Sequence, residues 1–126
     1  LYLLENKKIT ITKLKEKITS EQLADIGKKA HHNFENKYRV YKFFRNKKYI
    51  INPGIKFGCD FAVYEKGPGI DHSPYLIQVY NGNETIPATE ITIKGRLAAS
   101  VKKQFIFAIP KGKDEINFIG LAWWKA

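Results

Sequence analysis

Three histidines, one cysteine and a scatter of tyrosines, lysines and carboxylates are the chemically capable residues of this sequence. His31 and His32, with Glu35, invite a metal-binding reading. Adjacent side chains point away from each other on a helix, however, and one cysteine with three histidines argues against a four-ligand structural zinc site. Asp60 could belong to a metal-dependent DNA nuclease. That chemistry wants an acidic-x-Lys on the neighbouring strand, and Leu76-Ile77-Gln78-Val79 has none. Asp60 is therefore expected to organise a turn or the edge of a site. Gly67-Pro68-Gly69 beside Lys66 lacks the downstream Gly-Lys-Ser/Thr of a phosphate loop and reads as a turn. His72 lies in a polar segment, where an imidazole can carry a proton near neutrality or simply face solvent. Tyr64 ends an apolar run, as rim aromatics do. Lys103 on its own is one lysine among many.

The elements that would hold these residues follow from pattern. Residues 1–5 read as the end of a helix, and residues 7–15 as a short strand or an extended basic segment. Thr19 with Gln22 makes a capping box, and Leu23, Ile26 and Ala30 continue one apolar helical face. A break is expected near His32-Asn33, then a second helix through Tyr38, Val40, Tyr41, Phe43 and Phe44. From Tyr49 the pattern turns to strands. One runs through Ile50 and Ile51 to the turn at Pro53-Gly54. The next covers 57–64, with Phe61 and Val63 on one face and Ala62 and Tyr64 on the other. Further strands cover 75–80, 105–109 (stopped by Pro110) and 116–124, and a helix covers 89–102. The expected fold is α/β (α+β): a small N-terminal helical portion over 1–48, then a β-β-β-α-β-β domain over 49–126 with a central mixed sheet.

Composition narrows the partners. Twenty-two Lys+Arg against twelve Asp+Glu give a formal charge of +10 and a pI near 9.7. Such a field suits a polyanion. No apolar run approaches the roughly 20 residues of a membrane span. Without a signal peptide or paired cysteines, a cytoplasmic, intracellular setting is expected. The absence of methionine, position 1 included, leads to the expectation that the chain continues before Leu1.

Three blocks, in order, resemble the archaeal and eukaryotic tRNA-intron endonuclease family. The first is Tyr38-Arg39-Val40-Tyr41 followed by Asn52-Pro53-Gly54-Ile55-Lys56-Phe57-Gly58-Cys59-Asp60-Phe61-Ala62-Val63-Tyr64. The second is Asp71-His72-Ser73-Pro74-Tyr75-Leu76-Ile77. The third is Arg96-Leu97-Ala98-Ala99-Ser100-Val101-Lys102-Lys103, running into Gln104-Phe105-Ile106-Phe107. Together they cover about residues 38–109, and residues 1–37 resemble only the tail of the family's N-terminal helical domain.

The resemblance implies an endoribonuclease for precursor tRNA with a Tyr-His-Lys catalytic set, here Tyr64, His72 and Lys103. It implies Tyr64 as the base that takes the 2′ proton, His72 as the acid that protonates the leaving 5′-oxygen, and Lys103 as the charge that stabilises the transition state. A phenol with an ordinary pKa of about 10 is an unusual base, and a neighbouring ammonium favours its phenolate. The products would be a 2′,3′-cyclic phosphate and a 5′-hydroxyl, with no metal and no cofactor. In the family an Arg grips a flipped-out bulge base together with a second cation near the C-terminus. Arg96 takes the first position and Lys125 the second, although a lysine stacks less well than an arginine. Arg96 lies seven residues before Lys103, and two helical turns are expected to put both on one face.

Family members assemble as dimers or tetramers through C-terminal strands, and the apolar run over 118–124 is consistent with such an interface. An acidic intersubunit loop is also a family feature, and Asp114-Glu115 is the only acidic pair in the last third of the chain. The rival readings are a non-catalytic RNA-binding or structural subunit of the same complex and a general basic nucleic-acid-binding module.

Overall fold

The computed structural model describes residues 1–70, 72, 74–122 and 124. The chain divides into two compact units, Leu1–Glu35 and Asn36–Ala126.

The first unit holds α1 (Tyr2–Glu5), a small hairpin of β1 (Thr12–Lys13) and β2 (Glu16–Lys17), and α2 (Ser20–Ala30). The capping box forms as its residues demand. Gln22 N–H donates to the Thr19 hydroxyl at 3.3 Å, and the Thr19 N–H donates to the Gln22 amide oxygen at 2.9 Å. The break after α2 centres on Asn33, whose φ of 57° is the left-handed conformation asparagine tolerates best after glycine.

The second unit is a five-stranded sheet between two helices. α3 (Phe34–Asn46) runs into this unit and is followed by β3 (Ile50–Pro53), a 3₁₀ turn (Ile55–Phe57), β4 (Phe61–Tyr64) and β5 (Tyr75–Val79). Then come α4 (Ala88–Ser100), β6 (Gln104–Lys111) and β7 (Glu115–Leu121). The strands lie in sequence order. Every pair is antiparallel except β5–β6, which is parallel and connected through α4. Among the described residues no helix is long and apolar enough to cross a membrane.

The two faces of the sheet bury alternate residues. Val40 and Phe44 of α3 pack on Val63, Ile77, Val79 and Ala108. On the other face Ala98 of α4 packs with Ala62, Leu76, Phe105 and Phe107. The two-residue period of a strand thus puts Phe61 and Val63 toward α3 and Ala62 and Tyr64 toward α4, as the pattern foretold. α3 buries its apolar side on the sheet, and compactness divides the chain at 35/36.

Three expected boundaries shift. Only 61–64 of the expected 57–64 strand is extended, because the 3₁₀ turn and Gly58, with a φ of 61°, occupy its start. Pro110 does not stop β6. The pairing of β6 with β5 ends at Ala108, so at Pro110 only β7 lies alongside and no second neighbour requires its missing N–H. Finally, α4 ends at Ser100 and not at 102, through a turn that shapes the site.

Candidate active site

Three strand ends define one rim of the sheet. Val63 of β4, Tyr75 of β5 and Gln104 of β6 lie abreast in the sheet register. β4 is antiparallel to β5, which is parallel to β6, so the chain leaves β4 at the rim where β5 and β6 begin. Tyr64 is the last residue of β4, His72 lies just ahead of β5, and Lys103 immediately precedes β6. The Gln104 N–H donates to the Pro74 carbonyl at 2.9 Å, which fastens the start of β6 to the start of β5.

Lys103 is set by the end of α4. Lys102 takes the left-handed conformation at φ 53°. The Lys102 N–H donates to the Ala99 carbonyl at 3.2 Å, and the Lys103 N–H donates to the Ala98 carbonyl at 2.8 Å. These two bonds make a Schellman motif, in which glycine is the usual left-handed residue. α3 ends in the same way, with Lys48 at φ 69° and the Tyr49 N–H bonded to the Phe44 carbonyl at 3.0 Å.

Tyr64, His72 and Lys103 line one cleft of about 490 Å³, together with Phe57, Lys102 and the Pro68-Gly69 loop. His72 is exposed, whereas Tyr64 and Lys103 are half-buried. The Lys103 ammonium lies 5.5 Å from the centroid of the Phe57 ring. A phenolate can take a proton, an imidazolium can give one and an ammonium can stabilise an anion, and one open cleft holds the three side chains. Positive φ at Gly67 (126°) and Gly69 (88°) lets the intervening loop fold beside the cleft where side chains other than glycine would be strained.

Arg96 is exposed on α4 and does not line this cleft. The expectation that seven residues of helix set it on one face with Lys103 is corrected, because α4 ends at Ser100 and Lys103 follows a left-handed residue. Lys125 lies outside the described residues. A second groove of about 670 Å³ runs between α4 and the end of β7, and it shares Lys102 and Lys103 with the cleft. Among the described residues no cluster of three His, Cys, Asp or Glu side chains is arranged to hold a metal ion.

Asp60 was expected to organise a turn or the edge of a site, but it does not line the cleft and its carboxylate instead joins a helix to the sheet. One carboxylate oxygen accepts from the Val79 N–H and from the Gln78 amide, each at 2.8 Å, and the other pairs with Lys37. Cys59 is buried under Gly54, and burial pushes its thiol up to about 11. A Cβ on Gly54 would come within 2.5 Å of the Cys59 sulfur, so the turn needs glycine for space. Burial and the Glu90 carboxylate, to which the Tyr80 hydroxyl donates, push the Tyr80 phenol far above its usual range.

Phe57, Val101 and Lys102 are the cleft residues that the sequence pattern did not single out as site residues. Phe57 looked like the first residue of a strand, yet a glycine on either side of its turn, Gly54 and Gly58, was the available signal for a tight reversal. Lys102 carries no comparable sign, because the left-handed position it fills is one where glycine is expected.

Residues 34–118 match the model of the family described as tRNA intron endonuclease, catalytic C-terminal domain. The chain is 42% identical over 125 residues to a tRNA-splicing endonuclease of Pyrobaculum arsenaticum, spanning 98% of this chain and 68% of that protein. It is 40% identical over 127 residues to a tRNA-splicing endonuclease of Pyrobaculum islandicum, spanning 99% and 69%. With a tRNA-splicing endonuclease of Sulfurisphaera tokodaii it shares 37% identity over 126 residues, spanning 99% and 70%.

Proposed function

This chain belongs to the tRNA intron endonuclease family, and we propose that it cuts precursor tRNA at intron–exon junctions with Tyr64, His72 and Lys103 as the reacting set. The observation that carries this reading is the single cleft lined by all three side chains.

The substrate supplies its own nucleophile. The ribose 2′-oxygen attacks the adjacent phosphorus as Tyr64, in its phenolate form, takes its proton. The bond to the 5′-oxygen breaks, and His72, as imidazolium, gives that oxygen a proton. Lys103 faces the negative charge that builds on the non-bridging phosphate oxygens. The products are a 2′,3′-cyclic phosphate and a 5′-hydroxyl, and each atom is accounted for without a metal or a cofactor. Exposure of His72 suits an acid that must meet a bulky RNA, and the +10 charge suits attraction to its backbone.

Recognition is of shape, a bulge-helix-bulge with splayed bases, as is usual for RNA. Arg96 and Lys125 are the cations proposed to hold an extruded base. β7 is an edge strand of the described sheet, and its partly exposed Phe118 and Ile119 support pairing of subunits into a dimer or tetramer through the C-terminal strands.

The test is analysis of the ends made from an intron-bearing precursor tRNA. A 5′-hydroxyl that accepts label directly from polynucleotide kinase, opposite a phosphatase-resistant cyclic phosphate, is expected. A 5′-phosphate opposite a 3′-hydroxyl would overturn the reaction written here.

A further inference from the structure

We propose that Phe57 is a positioning residue for Lys103, its ring face holding the ammonium at the place in the cleft where phosphate charge develops. The inference rests on the reading of Lys103 as the electrostatic stabiliser.

The backbone of Lys103 is fixed on both sides, by its own N–H on the Ala98 carbonyl and by the Gln104 N–H on the Pro74 carbonyl. The side chain itself is long, with four flexible carbons and much rotamer freedom to lose. Its ammonium stands 5.5 Å from the Phe57 ring centroid, within the range at which a ring quadrupole attracts a cation. A phenylalanine has no polar atom, so it can neither move a proton nor accept a conventional hydrogen bond. What it can offer this cleft is a π face and volume.

The ring is itself held in place. Gly54 accepts the Phe57 N–H at 2.9 Å and the Cys59 N–H at 3.2 Å, which closes the 3₁₀ turn. Gly58 follows in the left-handed conformation, and its carbonyl accepts from the Lys94 ammonium. Phe57 also packs against the core on the α4 side of the sheet. One helix therefore does two things: Lys94 grips the turn that presents Phe57, and the end of the helix presents Lys103. The geometry ties the ring and the ammonium to the same rigid element.

Volume and π face separate by substitution. Phe57→Leu keeps an apolar group and removes the ring face, whereas Phe57→Tyr keeps the face. Phe57→Met serves in place of Leu if the latter lowers the melting temperature. The full-length enzyme, in the assembly in which it is purified, is assayed in single turnover on an intron-bearing precursor tRNA, and RNA affinity is measured separately. Phe57→Leu is expected to slow cleavage by about three- to thirtyfold, the range of a cation–π contact, with affinity within about twofold. Phe57→Tyr is expected to cleave near the wild-type rate. In a Lys103→Ala background the Leu substitution is expected to add nothing, since there is no ammonium left to hold.

Two results overturn the proposal: a wild-type rate for Phe57→Leu, or an equal slowing by it with and without Lys103. A wild-type rate for Lys103→Ala alone is a different outcome, because it removes the role of Lys103 itself.

Discussion

Lys37 of α3 and Asp60, just ahead of β4, form an ion pair at 2.8 Å in which the Asp60 side chain is only 12% exposed. The other carboxylate oxygen takes the Val79 N–H and the Gln78 amide. One side chain, just ahead of β4 and far from Tyr64, thus ties α3 to β5. Asp60→Ala orphans two donors and a cation, and is expected to cost about 2–4 kcal/mol. Lys37→Met is expected to cost about 1 kcal/mol, since its ammonium end is partly solvated. Urea unfolding measures both. The single-turnover rate per folded molecule should stay within about threefold of wild type, and a loss of chemistry at full stability would return Asp60 to the reaction.

His72→Ala should slow the cleavage step by about 10²–10⁴-fold, the usual share of a general acid, and RNA affinity should hold. Rapid-quench single turnovers beside filter binding make the distinction. A variant that cleaves normally once saturated, but binds poorly, would make His72 a contact and not the acid.

Chelation tests the balance of the written reaction. Cleavage is expected to persist in excess EDTA with enough monovalent salt to keep the RNA folded. Activity that disappears and returns only with one divalent ion would mean that a metal does the work assigned to Lys103.

Arg96 separates base stacking from plain charge. Arg96→Ala should weaken handling of bulged RNA far more than binding to an unbulged duplex, and Arg96→Lys should restore only part, because an ammonium lacks the planar face. A phosphate contact would instead weaken both RNAs alike and reduce the slope of log K against log salt by about one. Binding isotherms across salt decide the matter.

Cys59 makes the fold sensitive to alkali. Its thiol is pushed by burial from 9.0 to about 11 in the folded chain. The unfolded chain therefore loses this proton first. The contribution to stability is whole below pH 9 and is lost as pH rises from 9 toward about 11. Tyr80, also shifted upward, adds to the decline above its ordinary value of 10.0. Urea midpoints taken from pH 8 to 11 should fall, and should fall less steeply in Cys59→Ala. Parallel curves for the two proteins would mean that the thiol is not involved.

Local signals in the sequence were reliable where the chemistry is local. The Thr19–Gln22 capping box needs only four residues, and the alternation from Phe61 to Tyr64 follows from the pleat of a single strand. The order of strands and helices was likewise legible, because each run carries its own period. What was not legible depends on neighbours distant in sequence. Pro110 reads as a stop until one knows that β5 has ended beside it. Phe57 reads as strand until Lys94, on another element, grips Gly58. The stop at Ser100 was hidden because a lysine fills the position that glycine would have announced, and the supposed common face of Arg96 and Lys103 went with it. The meeting of Tyr64, His72 and Lys103 on one rim comes from the register of three strands, which no single stretch encodes.

The parallel pairing of β5 with β6 also sets a timetable. β3, β4 and β5 form a meander that can assemble from near neighbours, and β6 and β7 are joined across residues 112–114. Tyr64 and His72 belong to the first piece and Lys103 to the second. The two join only when the chain from 80 to 103 closes, a non-local step whose entropy must be met before any contact rewards it. A nascent chain still short of β6 therefore carries a phenol and an imidazole but no complete cleft. The cleft that brings the three side chains together forms only after synthesis has passed that strand.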